Sequence, residues 1–344
     1  MNPIEQVIRR LDATQQRLPP AAFVFGVVKK FGDDNGGALV SNLAYSGFVS
    51  LFPLLLVLVT ILGLTASIDA GFRQQVLTAV ANQVPLIGHQ LTEKIHVLRR
   101  SSVIGLVVGL AGLIWGASGL AQAGLFTMEQ VWNLPGPARP GYFPRLGRAL
   151  EFLGMLAVGV VLTTLLAGLN TYGHKAAIWV AAAELAAVLV NVGLFLAAFR
   201  VLTPKGVPLR SLVPGACVGG VVWTLLQVLG TYLVHHFLHS DSVYGVFATV
   251  LGLMAWIYLA ARVTVYAAEI NVVLTRRLWP RSIVQPPLTE ADRASMALQA
   301  LQNQRRPEQH VEVSFDDRAP GADDEDRAPR TPDEVSPPVD DQQV

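Results

Sequence analysis

The chain has 344 residues, of which 52% are hydrophobic and only 15% carry a charge, whereas soluble domains carry about 25% charged residues. This composition excludes an ordinary soluble domain. The single cysteine, Cys217, excludes an intramolecular disulfide and a cysteine-ligated zinc site. The net charge of +1 conceals an acidic tail, because residues 308–344 hold twelve acidic and three basic residues.

The N-terminal segment is polar and is not a cleaved signal peptide, because residues 1–17 lack an apolar core. Apolar side chains recur in it at helical spacing and arginines occupy the other faces. This pattern predicts a short amphipathic helix on a negatively charged membrane surface. The apolar positions are Ile4, Val7, Ile8 and Leu11. A second short helix is expected to follow Pro20 and to reach Phe31.

Six long stretches almost free of charge come next. A bilayer core about 30 Å thick requires roughly 20 apolar residues in a helix, so each stretch is long enough to cross. The predicted fold class is all-α: a polytopic membrane protein with a six-transmembrane-helix bundle, amphipathic surface helices and a disordered acidic C-terminal tail. The spans are expected at about 40–66, 103–126, 150–170, 177–199, 212–237 and 244–274. Residues 69–100 are expected to form helices packed against the spans.

The distribution of basic residues predicts the orientation. Fourteen Lys and Arg residues fall on one side of the predicted spans and five on the other. Because cytoplasmic loops retain Lys and Arg, both termini are expected in the cytoplasm of a bacterial cell. Four regions are predicted: a cytoplasmic N-terminal amphipathic segment at 1–37, the transmembrane domain at 38–275, a juxtamembrane segment at 276–304, and a disordered tail at 305–344.

Two charges lie inside the sixth predicted span. Arg262 and Glu269 are seven residues apart and share a helix face, with Tyr258 nearby. A charge in the bilayer core costs at least about 2.5–3.5 kcal/mol, so such residues normally face a partner or a water-filled cavity. Two interpretations follow: a polar path for an anionic head group with Arg262 as the cation, or a structural pair that locks helices together.

Other polar residues in the spans are open to the same two interpretations. They either line that path or hydrogen-bond neighbouring helices, and Glu184, near the outer end of its span, alternatively reaches interfacial water. If the protein transports a solute, the energy would come from a proton bound by Glu184 or Glu269, from another gradient, or from a partner protein. The remaining path candidates are Asn42, Tyr45, Ser46, Asn191 and Gln227.

Small residues four apart favour close helix packing over a flexible gate, at Gly112 and Gly116 and again at Gly215 and Gly219. Pro53 and Pro214 mark a hinge or simple kinks of the kind common in membrane helices.

Histidines at the outer end of the fifth span are a weak candidate for metal binding. His235 and His239 are one helical turn apart, but a zinc site needs three or four ligands. The alternative is a pair of interfacial histidines facing water. No cofactor is predicted.

Three stretches resemble the YihY/BrkB family of bacterial inner-membrane proteins. The first is NLAYSGFVSLFPLL at 42–55, and the second is GLIWGASGL at 112–120, which runs on to QVW at 130–132. The third begins with FRVL at 199–202, VPLR at 207–210 and PGA at 214–216, and ends with WIY at 256–258 and AEIN at 268–271. The resemblance implies six spans and an inner-membrane location.

What the resemblance implies about activity is less definite, because members have carried the name ribonuclease BN and others have been linked to serum resistance or lipid export. The sequence gives the nuclease label no support: the predicted cytoplasmic segments contain no His/Asp metal cluster and no aromatic-rich basic platform for RNA.

The favoured hypothesis is a non-enzymatic protein that moves, or helps to move, a lipid or other amphiphile. The alternatives are an assembly or scaffold protein and, less favoured, a membrane-bound enzyme. Expected partners are the bilayer, such an amphiphile and further copies of the chain, without nucleic acid.

Overall fold

The computed structural model describes residues 3–65, 103–172, 177–203, 206–237 and 245–315. Within these ranges the chain forms nine α-helices and two short 3-10 turns. The helices are α1 (Pro3–Arg17), α2 (Pro19–Asp33), α3 (Gly36–Thr65), α4 (Val103–Val131), α5 (Tyr142–Tyr172), α6 (Ala177–Leu202), α7 (Val213–Phe237), α8 (Gly245–Arg276) and α9 (Glu290–Gln302). The all-α prediction is confirmed for the described residues.

Six long helices, α3 to α8, occupy the positions of the six predicted spans and contain 25 to 32 residues each. In the described part of the chain, three stretches are long and apolar enough to cross a membrane. They are Ala182–Leu202, Val213–Gly230 and Val250–Arg276, and a shorter apolar stretch covers Gly36–Phe52. A chain with several such helices is a membrane protein, and the number of crossings stays a prediction.

The long helices pack as a bundle around a shared core. The most extensive contact joins α3 to α4, and α3 also packs against α8. Helix α7 contacts both α6 and α8, while α5 contacts α4 and α6. Side chains such as Val40, Leu125, Phe199 and Val265 are fully buried where these helices meet.

A second structural unit covers one end of the bundle. It consists of α1 and α2 together with residues 277–302, which include α9, and is called the terminal cap below. Helix α2 packs against α8. Helix α9 begins at a capping box, in which the Thr289 hydroxyl accepts a hydrogen bond from the Asp292 backbone N–H at 3.1 Å. The described segments before and after the six long helices therefore meet at the same end of the bundle.

Several predictions fall partly or wholly outside the described residues. Residues 69–100 and 316–344 lie there, so the surface helices and most of the acidic tail stay predictions. Residues 303–315 have no regular secondary structure. Within them, the Gln304 carbonyl accepts a hydrogen bond from the Gly136 N–H at 2.8 Å, so the described start of the tail contacts the α4–α5 connection.

The two prolines differ in position. Pro53 is part of the continuous helix α3, and its side chain lies outside the description. Pro214 lies in the first turn of α7, where the missing N–H has no helical acceptor to lose. Pro214 therefore sits at the start of a helix and interrupts none.

Candidate functional site: an apolar cavity and a buried ionic network

A cavity of about 420 Å³ lies among α3 to α8, within the size range of small-molecule sites. Every one of these six helices contributes to its lining, and α6 contributes most. The described residues that line it include no charged side chain. Leu43, Met155, Leu194 and Phe199 are typical of the lining. Such a lining offers apolar contact to a hydrocarbon chain and no charged partner to an ion.

A small polar cluster reaches the cavity through Asn191. The Asn191 side-chain amide donates hydrogen bonds to the Thr224 hydroxyl at 2.9 Å and to the Gln227 carbonyl oxygen at 3.3 Å. Asn191 itself lines the cavity, as does Thr264 of α8. The structure therefore brings together two sequence-predicted residues, Asn191 and Gln227, and adds Thr224, which sequence reasoning did not single out.

Glycines allow α7 to approach its neighbours at backbone contact. A Cβ atom at Gly219 would lie 2.8 Å from the Phe195 ring, and one at Gly220 would lie 2.6 Å from Val192. A Cβ atom at Gly215 would overlap the Ala267 carbonyl oxygen. The Gly215 N–H lies in the first turn of α7, where it has no acceptor within the helix. It donates instead to the Asn271 side-chain oxygen at 2.7 Å. Of the other predicted packing glycines, Gly116 is buried and Gly112 half-buried in α4.

A buried ionic cluster joins α2 to α8 where the terminal cap meets the bundle. The Lys30 side chain is fully buried, pairs with Asp34, and donates to the Val131 carbonyl at 3.2 Å. The Glu269 carboxylate lies 3.7 Å from the Lys30 Nζ, within ion-pair range but beyond a normal hydrogen bond. Asn133 donates to Asp34 at 3.1 Å. Burial raises the pKa of the Asp34 carboxyl, and the attraction of the Lys30 ammonium opposes that rise.

The terminal cap is organised around the carboxylate of Asp292, which is completely buried. It accepts hydrogen bonds from Lys29 Nζ at 2.8 Å and from Arg281 Nε at 2.6 Å. It also accepts from the Ser282 N–H at 3.0 Å and the Ser282 hydroxyl at 2.6 Å. Burial alone would raise the pKa of Asp292, but the hydrogen bonds from Lys29, Ser282 and Arg281 outweigh it and hold the pKa well below its usual range.

Helix α1 is fastened to the same region by polar contacts. The Ile283 N–H donates to Asp12 at 3.1 Å, and the Gln15 amide donates to the Arg281 carbonyl at 2.7 Å. Arg281 continues the network by donating to Asp33 at 2.7 Å. The polar side of α1 therefore faces the protein.

The remaining path candidates do not converge on the cavity. Arg262 is exposed on the other side of α8, with its guanidinium 5.9 Å from the centre of the Tyr266 ring. Tyr266 in turn stacks on Phe31 of α2, with centroids 4.3 Å apart. Glu269 lies in the buried ionic cluster. Asn42, Tyr45, Tyr258 and Glu184 are exposed, Ser46 is half-buried, and none of the five lines the cavity. Their role in a path stays a prediction.

Sequence reasoning missed the residues that connect the segments before and after the long helices. In the sequence, Lys29, Lys30 and Arg281 contributed only to the number of basic residues that predicts the cytoplasmic side. One local signal was present: Lys30 and Asp34 are four residues apart, the spacing of ion pairs on a helix. Glu269, which stood out as a charge inside the sixth run, and Asp292 lie far from the two lysines in sequence, and no local pattern pairs them with Lys30 and Lys29.

The described residues contain no group of three or more His, Cys, Asp or Glu side chains arranged to hold a metal ion. The His235 side chain and the whole of His239 lie outside the description, so the metal prediction stays open.

Long apolar helices, a bundle around an uncharged cavity and a capping unit of amphipathic helices define an all-helical membrane protein. The family model described as "Virulence factor BrkB" matches residues 27–289, which is most of the chain. The chain belongs to the Virulence factor BrkB family, as its sequence motifs indicated.

Similarity to individual relatives extends over about three quarters of the chain. It is 26% identical over 271 residues to the ribonuclease-like protein YfkH of Bacillus subtilis, covering 74% of this chain and 96% of YfkH. It is 23% identical over 274 residues to the inner membrane protein YhjD of Escherichia coli, covering 74% and 81%. A UPF0761 membrane protein of Psychrobacter is 23% identical over 269 residues, which cover 48% of that longer protein. No solved structure matches the chain.

Proposed function

We propose that the protein binds the hydrocarbon chain of a lipid or other amphiphile in the central cavity and moves it, or helps to move it, across the bacterial inner membrane. The observation that carries this proposal is the uncharged lining of a cavity of about 420 Å³ to which all six long helices contribute. Transfer of apolar surface into such a site is favourable in proportion to the area removed from water, about 25 cal/mol per Å². A charged solute would gain no partner there.

The polar wall of the cavity accounts for the amphiphilic part of the proposal. Asn191 and Thr264 are the lining residues with a side-chain amide or hydroxyl, and Asn191 is held by Thr224 and Gln227. A molecule with its hydrocarbon chain among Leu194 and its neighbours has hydrogen-bonding groups within reach at this wall. Such groups fix orientation in an otherwise apolar pocket.

The proposed membrane arrangement has six crossings with both termini in the cytoplasm. The excess of Lys and Arg on one side of the predicted spans supports it, as does the meeting, in the terminal cap, of the segments that precede and follow the six long helices. An inner-membrane location is supported by the name of the Escherichia coli relative. In this arrangement the terminal cap lies at the cytoplasmic end of the bundle.

The proposal is non-enzymatic, in spite of the ribonuclease-like name of the Bacillus subtilis relative. Hydrolysis of RNA needs an acid and a base, or metal ligands, that reach a phosphodiester. The carboxylates held in ion pairs in the described residues are Asp33, Asp34, Glu129, Glu269 and Asp292. Four of them are buried, and Asp33, whose side chain is 26% exposed, is held by Arg281. Each carboxylate is engaged with a basic side chain, which does not favour a role as a general base.

Filling the cavity tests the proposal. Ala260 lines the cavity, and Ala255 lies exposed on the same helix, so Ala260→Trp and Ala255→Trp add the same volume in different places. The assay follows transbilayer movement of a fluorescent phospholipid in proteoliposomes. Ala260→Trp is expected to slow movement about tenfold, because the indole occupies space that the hydrocarbon chain needs and a loss of about 1.4 kcal/mol in binding is a factor of ten.

Ala255→Trp is expected to retain the wild-type rate. A second cavity substitution from another wall, Ala198→Trp, guards against a local folding defect. Full activity of both cavity variants, each monodisperse in detergent, would remove the cavity from the mechanism.

A further inference from the structure

Helix α1 presents its apolar side outward. Val7, Leu11 and Leu18, just beyond the helix, are 56%, 59% and 52% exposed. The intervals of four and seven residues place them in one stripe along the helix. An amphipathic helix normally turns such a stripe towards the protein core. Here the stripe faces away from the protein.

Another side of α1, next to the stripe, carries polar residues and faces the protein. Asp12 is buried and accepts hydrogen bonds from the Ile283 N–H and from Gln16. Gln15 and Arg9 donate to the backbone carbonyls of Arg281 and Pro286. These contacts fix the rotation of α1 about its axis, because turning the apolar stripe inward would break them. The outward stripe is therefore built into the terminal cap.

The exposed charges beside the stripe are positive. Arg10 and Arg17 are exposed, and the described side chains of α1 include only one carboxylate, the buried Asp12. An apolar stripe flanked by arginines complements a layer of hydrocarbon covered by anionic head groups.

Helix α2 connects this surface to the membrane-spanning bundle. Phe31 stacks on Tyr266, which lies inside the apolar stretch Val250–Arg276. Gly26, one turn and a half earlier, packs against Leu278 and Trp279, just after the end of α8. Val24 and Val28 of α2 are exposed apolar side chains at this level. Because α1 packs against α2, it lies at the end of the bundle where this apolar stretch ends.

We propose that α1 is a membrane-surface anchor, whose stripe of Val7, Leu11 and Leu18 inserts into the anionic head-group layer of the same bilayer that the long helices cross. Arg10 and Arg17 contact the lipid phosphates. Through Asp12, Gln15 and Arg281 the anchor holds the terminal cap against the membrane. This role is independent of what the cavity binds.

The test places a lipid-sensitive probe on each side of the exposed surface. In a Cys217→Ser background, Leu11→Cys and the matched control Ala13→Cys are labelled with an environment-sensitive fluorophore. Ala13 is also exposed, but lies about 160° around the helix from Leu11. The full-length protein is placed in nanodiscs containing phosphatidylglycerol, with a spin-labelled lipid as quencher.

The expected result is quenching by the lipid at position 11 that exceeds quenching at position 13 several-fold, while aqueous iodide quenches position 13 more. Replacing both arginines, in Arg10→Gln with Arg17→Gln, is expected to reduce lipid quenching at position 11, and so is replacing phosphatidylglycerol by phosphatidylcholine. Equal exposure of both positions to iodide would overturn the proposal. Shielding of position 11 from lipid and iodide alike would also overturn it, because a protein would then cover the stripe.

Discussion

The ammonium group of Lys30 lies 3.7 Å from the carboxylate of Glu269, and neither side chain is exposed to solvent. Lys30 belongs to α2 and Glu269 to α8, so the pair joins the beginning of the chain to the last long helix. Asp34 shares the same lysine. Two carboxylates therefore depend on one buried cation.

Removing that cation is expected to destabilise the protein strongly. Lys30→Met leaves Asp34 and Glu269 buried beside each other, and breaking a buried pair costs about 3–5 kcal/mol. Thermal unfolding in detergent, followed by tryptophan fluorescence, measures the loss. Arg210→Met is the control, because Arg210 is exposed and surface charges contribute about 0–1 kcal/mol. Equal melting temperatures of the two variants would show that the cluster is not structural.

The contact between α6 and α7 predicts opposite effects of the same substitution at two glycines. Gly220→Ala places a Cβ atom 2.6 Å from the Val192 backbone, so we expect a loss of about 1–3 kcal/mol in the free energy of unfolding. Gly193→Ala in α6 meets nothing within 4 Å and should gain up to about 1 kcal/mol from helix propensity. Equilibrium unfolding of both variants in one detergent is the measurement. A gain, or no change, for Gly220→Ala would contradict the close packing.

The terminal cap should be stable to acid because of Asp292. The pKa of this carboxyl is depressed in the folded state. Its stabilising contribution is therefore fully present above the unfolded pKa, about 3.9, and is lost as pH falls through the lower folded value. Asp292→Asn is expected to lower the melting temperature at neutral pH, and the difference from wild type should narrow only below about pH 4.

Glu290→Gln is the matched control for this titration, since Glu290 is exposed in the first turn of the same helix. It should shift the melting temperature by little at any pH. A difference between Asp292→Asn and wild type that stays constant into strong acid would mean that the carboxylate charge does not stabilise the cap.

The long helices could be predicted from sequence because the rule that places them is local. A charge-free run of about 20 residues forms a helix in hydrocarbon whatever surrounds it, and α3 to α8 occupy the predicted positions. Asn191 and Gln227 were singled out because polar side chains are rare in such runs. Their shared hydrogen bonds needed the packing of α6 on α7, which no single run specifies.

Arg262 and Glu269 lie in different surroundings, which the sequence around them could not predict. Their spacing places them on one face of α8, as predicted. Helix α2 covers only part of that face: Lys30 lies beside Glu269, while Arg262 stays exposed next to Tyr266. Which of two neighbouring charges is buried depends on a helix more than 200 residues away in the chain. Sequence periodicity carries no information about that contact.

Asn191 offers a way to separate recognition from helix packing. Hydrogen bonds between membrane helices contribute about 0.6 kcal/mol on average, so Asn191→Leu should change the melting temperature little. It should nevertheless slow phospholipid movement, because Asn191 is a polar residue of the cavity wall. Thr264→Val tests the other lining residue with a polar side chain, on α8, in the same assay. Unaltered transport by both variants, measured separately and together, would exclude the polar wall from recognition.

The most direct measurement is photo-crosslinking of a phospholipid that carries a diazirine at the end of one acyl chain. After irradiation in proteoliposomes, peptide mapping locates the adducts. The account predicts saturable adducts at cavity residues such as Met128, Met155 and Phe199. Unlabelled phospholipid should compete with the formation of these adducts, and Ala260→Trp should abolish them. Adducts confined to outward-facing residues such as Leu225 and Val228, unaffected by competitor, would contradict it.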